Sequence, residues 1–141
     1  TAFRQGYLVG SRHASVRVRI EGSAARLNIK SATLGVTRQE YEYAIPPADA
    51  AAMLNTLCEH PLIEKTRHHV TFGGRLWEVD VFAGDNAGLV VAEVELEAED
   101  APLELPPWVG REVSREPRYY NVCLVKHPYK DWTADERGTL D

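Results

Sequence analysis

The stretch Leu89-Val90-Val91-Ala92-Glu93-Val94-Glu95-Leu96-Glu97 alternates between two sets of side chains without a break. This two-residue period is that of a β-strand, whose successive side chains point to opposite faces. One face is apolar and carries Val90, Ala92, Val94 and Leu96. On the other face, glutamates follow one another at 93, 95 and 97, with roughly 6–7 Å between neighbours. Carboxylates so close repel one another unless a cation lies with them, and the stretch leaves open whether that cation comes from solvent, an arginine or a metal ion.

The same period recurs along most of the chain and predicts seven strands in all. The other six lie at residues 3–9, 15–21, 26–31, 38–45, 63–72 and 76–82. Gly73-Gly74, between the last two of these, is a hairpin signal. The pattern therefore predicts an α+β domain built on an antiparallel sheet with a few covering helices.

Helices are expected where the two-residue period stops. Residues 48–58 are rich in alanine and follow Pro46-Pro47, which suits a helix start because proline is tolerated in the first turn. Shorter helices are predicted near 99–106 and at 118–125. Residues 127–141 are polar with few apolar anchors, so we expect a loosely packed tail there. The domain proper is then residues 1–126, followed by a C-terminal tail at 127–141.

The composition of the chain argues against some classes of function. The chain has 16 basic and 21 acidic residues and a net charge of −5, which argues against a general nucleic-acid binder because phosphate backbones require a basic surface. It contains no apolar run long enough to span a membrane. The two cysteines, Cys58 and Cys123, match no metal-binding spacing, so we expect free thiols in a reducing cytoplasm.

Charged side chains occupy the interiors of the predicted strands. The basic ones are Arg17, Arg19, Lys30, Lys65 and Arg67, and the acidic ones are Glu40, Glu42, Asp80, Glu93 and Glu95. One interpretation places both signs in a lumen, where cations grip phosphate oxygens and carboxylates hold Mg²⁺ or Mn²⁺. The other is an antiparallel sheet with one solvated face, on which the charges pair across strands. The spacing alone leaves both interpretations open.

An ordered set of motifs goes further than the spacing. The motifs are Arg17-x-Arg19, Lys30, Arg38-x-Glu40-x-Glu42, Lys65-Thr66-Arg67, Trp77-Glu78-Val79-Asp80-Val81-Phe82, Glu93-x-Glu95, and the ending Glu112-Val113…Arg118-Tyr119…Asn121…Leu124. Together they resemble the CYTH family, also called triphosphate tunnel metalloenzymes, over the region from Arg4 to Leu124. The chain is most similar to the short bacterial members that act as inorganic triphosphatases. The resemblance implies an eight-stranded antiparallel β-barrel, a divalent metal ion (Mg²⁺ or Mn²⁺) and hydrolysis of triphosphates.

The resemblance also implies roles for individual residues. Phosphate binding falls to Arg17, Arg19, Lys30, Lys65 and Arg67, with Arg118 reaching in from the C-terminal region. The catalytic set comprises Glu93, Glu95, Lys65 and Arg67. The metal side comprises Glu93 and Glu95, with Glu40, Glu42 and Asp80 as supporting acids. The implied partner is a small triphosphate substrate, with no nucleic acid and no membrane; a homodimer is the assembly to test.

One departure from the family pattern bears on activity. The family opens with a strand bearing Glu-x-Glu-x-Lys, whose acids hold metal, and no such motif precedes Arg4 here. If that strand is absent, the barrel has seven strands, an open seam and fewer metal ligands. That absence would favour a module that binds triphosphate or polyphosphate without turnover. A separate alternative within the family is an adenylate cyclase or a thiamine triphosphatase.

Overall fold

The computed structural model describes residues 1–10, 13–31, 39–98 and 101–137 of the chain. Seven strands run through these residues. They are β1 (Ala2–Gly10), β2 (Ala14–Glu21), β3 (Ala24–Ser31), β4 (Glu40–Ala44), β5 (Ile63–Phe72), β6 (Arg75–Phe82) and β7 (Val90–Val94). All of them join one antiparallel sheet in the order β4-β3-β2-β1-β5-β6-β7. The predicted α+β class with an antiparallel sheet is confirmed.

The strand boundaries differ from the predicted ones mainly at the sheet edges. β7 ends at Val94 rather than at residue 97, and beyond it the side chain of Arg75 binds both carboxylate oxygens of Glu97 at 2.9 and 3.1 Å. β4 begins at Glu40, and Arg38 of the predicted strand lies outside the described residues. Within the described ranges, β4 and β7 each pair on one side only, so the sheet is not closed into a barrel there.

One face of the sheet packs on the helix α1 (Pro47–Thr56). Proline at the start and Asp49 in the first turn favour the helix beginning here. Ala50 and Leu54 are fully buried and pack with Val18 of β2 and Ala25 of β3. The predicted role of this helix as cover for the sheet is confirmed.

The opposite face is covered at one end by the C-terminal segment. Its helix α2 (Asn121–Lys126) begins later than predicted, because Pro117–Tyr119 forms a 3₁₀ turn instead. Leu124, Val125 and Trp132 are buried in one cluster with Ile63 and Phe82 of the sheet. A loosely packed tail is therefore the wrong prediction for residues 127–137.

Two further predictions concern a helix near residues 99–106 and the state of the cysteines. Residues 101–106 are not helical, so the helix expected near 99–106 is wrong for them, and residues 99–100 lie outside the described part. Pro102 and Pro106 within this stretch and Pro107 directly after it explain this, since proline has no N–H to donate within a helix. Both cysteines are free thiols, as predicted. None of the helices in the described ranges has the length and apolar character that crossing a membrane requires.

Candidate active site

The register of the strands brings most of the predicted site residues onto one face of the sheet. Residues paired across an antiparallel ladder lie on the same face, as do alternate residues along a strand. The pairs that link the strands on this face are Lys30↔Glu40, Arg17↔Asn28, Gln5↔Arg19, Phe3↔Lys65, Arg67↔Asp80 and Glu78↔Glu93. We call this the charged face; α1 packs on the other one.

A buried triad lies on β5 and β6. The Nζ of Lys65 donates to the carboxylate of Asp80 at 2.9 Å, and Arg67 donates to both of its oxygens at 2.8 and 2.9 Å. Lys65 and Asp80 are each 2% exposed. Burial alone raises the pKa of Asp80, but the hydrogen bonds from Arg67 and Lys65 outweigh it and leave that pKa below its usual value. Asp80 therefore stays ionised and holds both cations in place.

The positive charges of the two arginines of β2 are less fully neutralised by nearby carboxylates than those of Lys65 and Arg67. Within the described ranges, no carboxylate lies at ion-pair distance from Arg17 or Arg19. The Nε of Arg19 donates to the amide oxygen of the fully buried Gln5 at 2.7 Å. Burial, then the charges of Arg17 and Arg67, lower the pKa of Arg19 to about 10. This part of the face holds positive charge ready for an anion.

Two buried polar atoms in the same place have no hydrogen-bond partner among the residues that the structure describes. They are the Nε of Arg17 and the amide nitrogen Nε2 of Gln5. Both are donors, and leaving a buried donor unpaired costs free energy. An oxyanion is the kind of ligand that satisfies donors of this sort, so the arrangement suits a phosphate group better than a cation.

The acidic residues stand at the two borders of the charged face. On β4, Glu40 and Glu42 accept hydrogen bonds from Asn28 at 2.9 and 3.0 Å. On the other border, Glu78 of β6 is paired with Glu93 of β7, and Arg67 reaches Glu78 at 2.8 Å. In the parts of the chain that the structure describes, no three acidic, histidine or cysteine side chains gather into a metal-binding group.

Arg118 lies away from this arrangement. It donates to Glu116 at 2.6 Å and to the backbone oxygen of Glu136 at 2.9 Å, and it stacks over the ring of Trp132 at 5.8 Å. These contacts all fall within the C-terminal segment. The structure therefore uses Arg118 to fasten this segment, and shows no contact between it and the cations of β2 and β5.

Some residues of the charged face escaped the sequence analysis. β1 contributes Phe3, Gln5 and Tyr7, which stand between the basic residues of β2 and β5. They carry no charge, so the pattern of charged residues along the strands does not indicate them. The signal that could have found them is their own two-residue spacing next to two basic strands.

Comparisons with known proteins agree with this architecture. A model of the CYTH domain matches residues 2–129. A protein of Acetivibrio thermocellus named inorganic triphosphatase is 48% identical over 130 residues, which cover 92% of this chain and 83% of that protein. One of Nitrosomonas europaea with the same name is 39% identical over 126 residues, covering 86% and 82%. The crystal structure of an inorganic triphosphatase superposes with a TM-score of 0.72 at 36% identity, covering 88% of this chain and 84% of that one. The chain therefore belongs to the CYTH domain family.

Proposed function

We propose that this chain hydrolyses inorganic triphosphate with the help of a divalent metal ion. The observation that carries the proposal is the group of four cations on β2 and β5: Arg17, Arg19, Lys65 and Arg67. In the described ranges, Arg17 and Arg19 have no carboxylate partner, and the buried donors Nε of Arg17 and Nε2 of Gln5 have no hydrogen-bond partner. A linear triphosphate supplies several negative charges and many acceptor oxygens, which this group lacks. The names of the two relatives support the same substrate.

The proposed binding mode places the triphosphate along the charged face. β1 separates β2 from β5, so the two cationic strands lie roughly 10 Å apart. Arg17 and Arg19 would bind phosphate oxygens from one side, and Lys65 and Arg67 from the other, with Lys30 extending the basic surface on β3. Arg118 is left out of this binding set because its contacts lie within the C-terminal segment and none of them reaches the cations of β2 and β5.

The acids of the β6–β7 border fit a magnesium or manganese ion. Glu78 and Glu93 face each other across these strands, and Glu95 follows just past the end of β7. Magnesium takes one or two carboxylates and fills its remaining positions with water and substrate phosphates. Arg67 already occupies Glu78, so we assign the ion to Glu93 and Glu95. When bound, it neutralises charge on the phosphate oxygens and lowers the pKa of a bound water.

The remaining acids have other tasks in this proposal. Asp80 accepts three hydrogen bonds from Lys65 and Arg67, so it anchors cations and has little capacity left for a metal ion. Glu40 and Glu42 stand on β4, at the opposite end of the strand order from β7. They serve as supporting acids that order β3 through Asn28.

The reaction needs a base and a stabilised leaving group. The oxygen of a water molecule bonds to the terminal phosphorus, and the bridging P–O bond breaks, so that pyrophosphate leaves with the bonding electrons. Glu95 is exposed and would accept the proton that the water loses. Arg19, Lys65 and Arg67 would stabilise the negative charge that grows on the leaving oxygen.

The test compares two arginines on opposite faces of the sheet. Arg19→Ala should lower phosphate release from tripolyphosphate with Mg²⁺ by roughly 10²–10³-fold, the usual cost of one electrostatic contact to the transition state. Arg4→Ala is the control, because Arg4 bonds Asn55 on the α1 side. Near-normal turnover by Arg19→Ala would refute the proposal. Binding of tripolyphosphate by the wild type without any phosphate release would leave only a binding module.

The proposal also covers the cellular compartment and the oligomeric state of the protein. We propose that the protein acts in the cytoplasm, where its two free thiols remain reduced. We also propose a homodimer as its assembly. Sedimentation of the purified chain tests the second point, since a single species with the mass of one chain would exclude the dimer.

A further inference from the structure

Phe3 is a buried aromatic residue that lies outside the apolar clusters of the sheet. It is 3% exposed, yet it belongs to neither of the two clusters of buried apolar side chains in the described part of the chain. Its register partners are Lys65 on β5 and Glu21 on β2. A large apolar side chain is normally buried among others of its kind, so its position on the charged face needs another explanation.

Three cations surround the ring of Phe3. The guanidinium carbons of Arg19 and Arg67 lie 4.9 and 4.8 Å from the ring centroid, and the Nζ of Lys65 lies 5.6 Å from it. All three distances fall within the range of cation–π attraction. Arg19 comes from β2, and the other two come from β5. The ring thus joins the two cationic strands across β1.

The ring does something for these cations that a carboxylate cannot do. Cations held this close repel one another, and after burial the charges of Arg17 and Arg67 lower the pKa of Arg19. A carboxylate such as Asp80 relieves repulsion by cancelling charge and by accepting N–H donors. The face of an aromatic ring attracts a cation without removing its charge and without accepting the in-plane N–H groups of a guanidinium.

We propose that Phe3 is a positioning residue, whose ring holds Arg19, Lys65 and Arg67 together before the substrate arrives. Tripolyphosphate then meets a preformed group of charged donors, and less side-chain ordering remains to be done on binding. This inference rests on the proposed function for its ligand, while the contacts of the ring exist without one. Phe3 does not touch the reacting atoms, so its effect passes through the cations.

The experiment uses the only three phenylalanines of the chain, Phe3, Phe72 and Phe82. Each is replaced in turn by phenylalanine with one to five fluorines, which weakens the negative ring face and nearly keeps its shape. Phe82 contacts one of these cations, Lys65, at 5.5 Å, and Phe72 contacts none among the described residues, so they serve as intermediate and control. Titration calorimetry with tripolyphosphate should show affinity falling stepwise for Phe3, by about tenfold at five fluorines. The loss should be smaller for Phe82 and absent for Phe72.

A second readout does not depend on substrate. Weakening the ring at position 3 removes an interaction that favours the charged form of Lys65, so the pKa of Lys65, followed by ¹⁵N NMR of its Nζ, should fall with each fluorine. Fluorination of Phe72 should leave it unchanged. If fluorination of Phe3, like that of Phe72, changed neither the affinity for tripolyphosphate nor the pKa of Lys65, the inference would be overturned. The proposed hydrolysis of triphosphate by the wild type would not be affected by that result. If the wild type binds no tripolyphosphate, the proposed function fails, and the pKa of Lys65 still decides the role of Phe3.

Discussion

The face of the sheet beneath α1 and the charged face are stabilised by different interactions. Beneath α1, Val18, Ala50 and Leu54 are fully buried in one apolar cluster. Each contributes in proportion to the apolar area it removes from water, whichever neighbour supplies the contact. On the charged face, Lys65 and Asp80 are equally buried, but each is tolerated only because the other is present. Stability is therefore distributed on the first face and conditional on specific partners on the second.

Removing the shared anion of the charged face should have the largest effect on stability. Asp80→Asn leaves Lys65 and Arg67 with like charges and no buried counter-charge, so we expect the free energy of unfolding to fall by about 3–5 kcal/mol. Urea denaturation measures it. Asp85→Asn is the control, because Asp85 pairs with Lys130 at the surface at 3.4 Å, with both side chains exposed. Equal urea midpoints for the two variants would show that the buried cations Lys65 and Arg67 do not depend on the carboxylate of Asp80.

Removing a buried side chain from the apolar face should lower the free energy of unfolding somewhat less and should leave ligand binding intact. Leu54→Ala opens a cavity under α1, for which we expect a loss of about 2–5 kcal/mol in the free energy of unfolding. Leu57→Ala, at a side chain that is 63% exposed at the end of the same helix, should change it little. The affinity for tripolyphosphate should match the wild type in both variants. A weaker affinity in Leu54→Ala would mean that the two faces are coupled.

The contrast between the faces also marks what the sequence could predict. A two-residue period assigns alternate residues of each strand to opposite faces, but it leaves open whether the charged faces of different strands meet. The expectation that Arg17, Lys65 and Glu93 lie together comes from the resemblance to the CYTH family. Which of them touch is a matter of register and rotamer, which a period does not contain. The anchoring role of Asp80 and the place of Phe3 among the cations both follow from pairing across strands.

The C-terminal segment escaped prediction for a different reason. Residues 127–137 contain few apolar side chains, and a count of them predicts a loose tail. Two aromatic rings suffice, however: Trp132 is 5% exposed and packs against Tyr129 at a centroid distance of 5.0 Å. One large ring buries as much area as several small side chains, so the size of the anchors decided the outcome and their number did not.

Lowering the pH should reduce the stability that the charged face contributes and leave that of the apolar face unchanged. The folded state holds the pKa of Asp80 below its unfolded value of 3.8, so the carboxylate contributes stability that is fully present above that value and is lost as pH falls through the folded pKa. The difference in unfolding free energy between the wild type and Asp80→Asn should thus stay constant from pH 8 to 5 and shrink below pH 4. The difference between the wild type and Leu54→Ala should not change. Urea titrations at several pH values test this, and a parallel loss in both would contradict it.

The smallest effect should come from the border of the charged face at β3 and β4. Arg26 pairs with Glu42 at 2.7 Å, but its side chain is 52% exposed, and water and salt screen such a pair. Arg26→Ala should therefore leave the urea midpoint and the rate of phosphate release at the wild-type level. Arg26 lies directly opposite Arg19 in the β2–β3 register, so the two alanine variants compare neighbouring cations that differ in burial and partner. A loss of turnover in Arg26→Ala would mean that this exposed cation also takes part in the reaction, and burial would then not mark which cations of the charged face are needed.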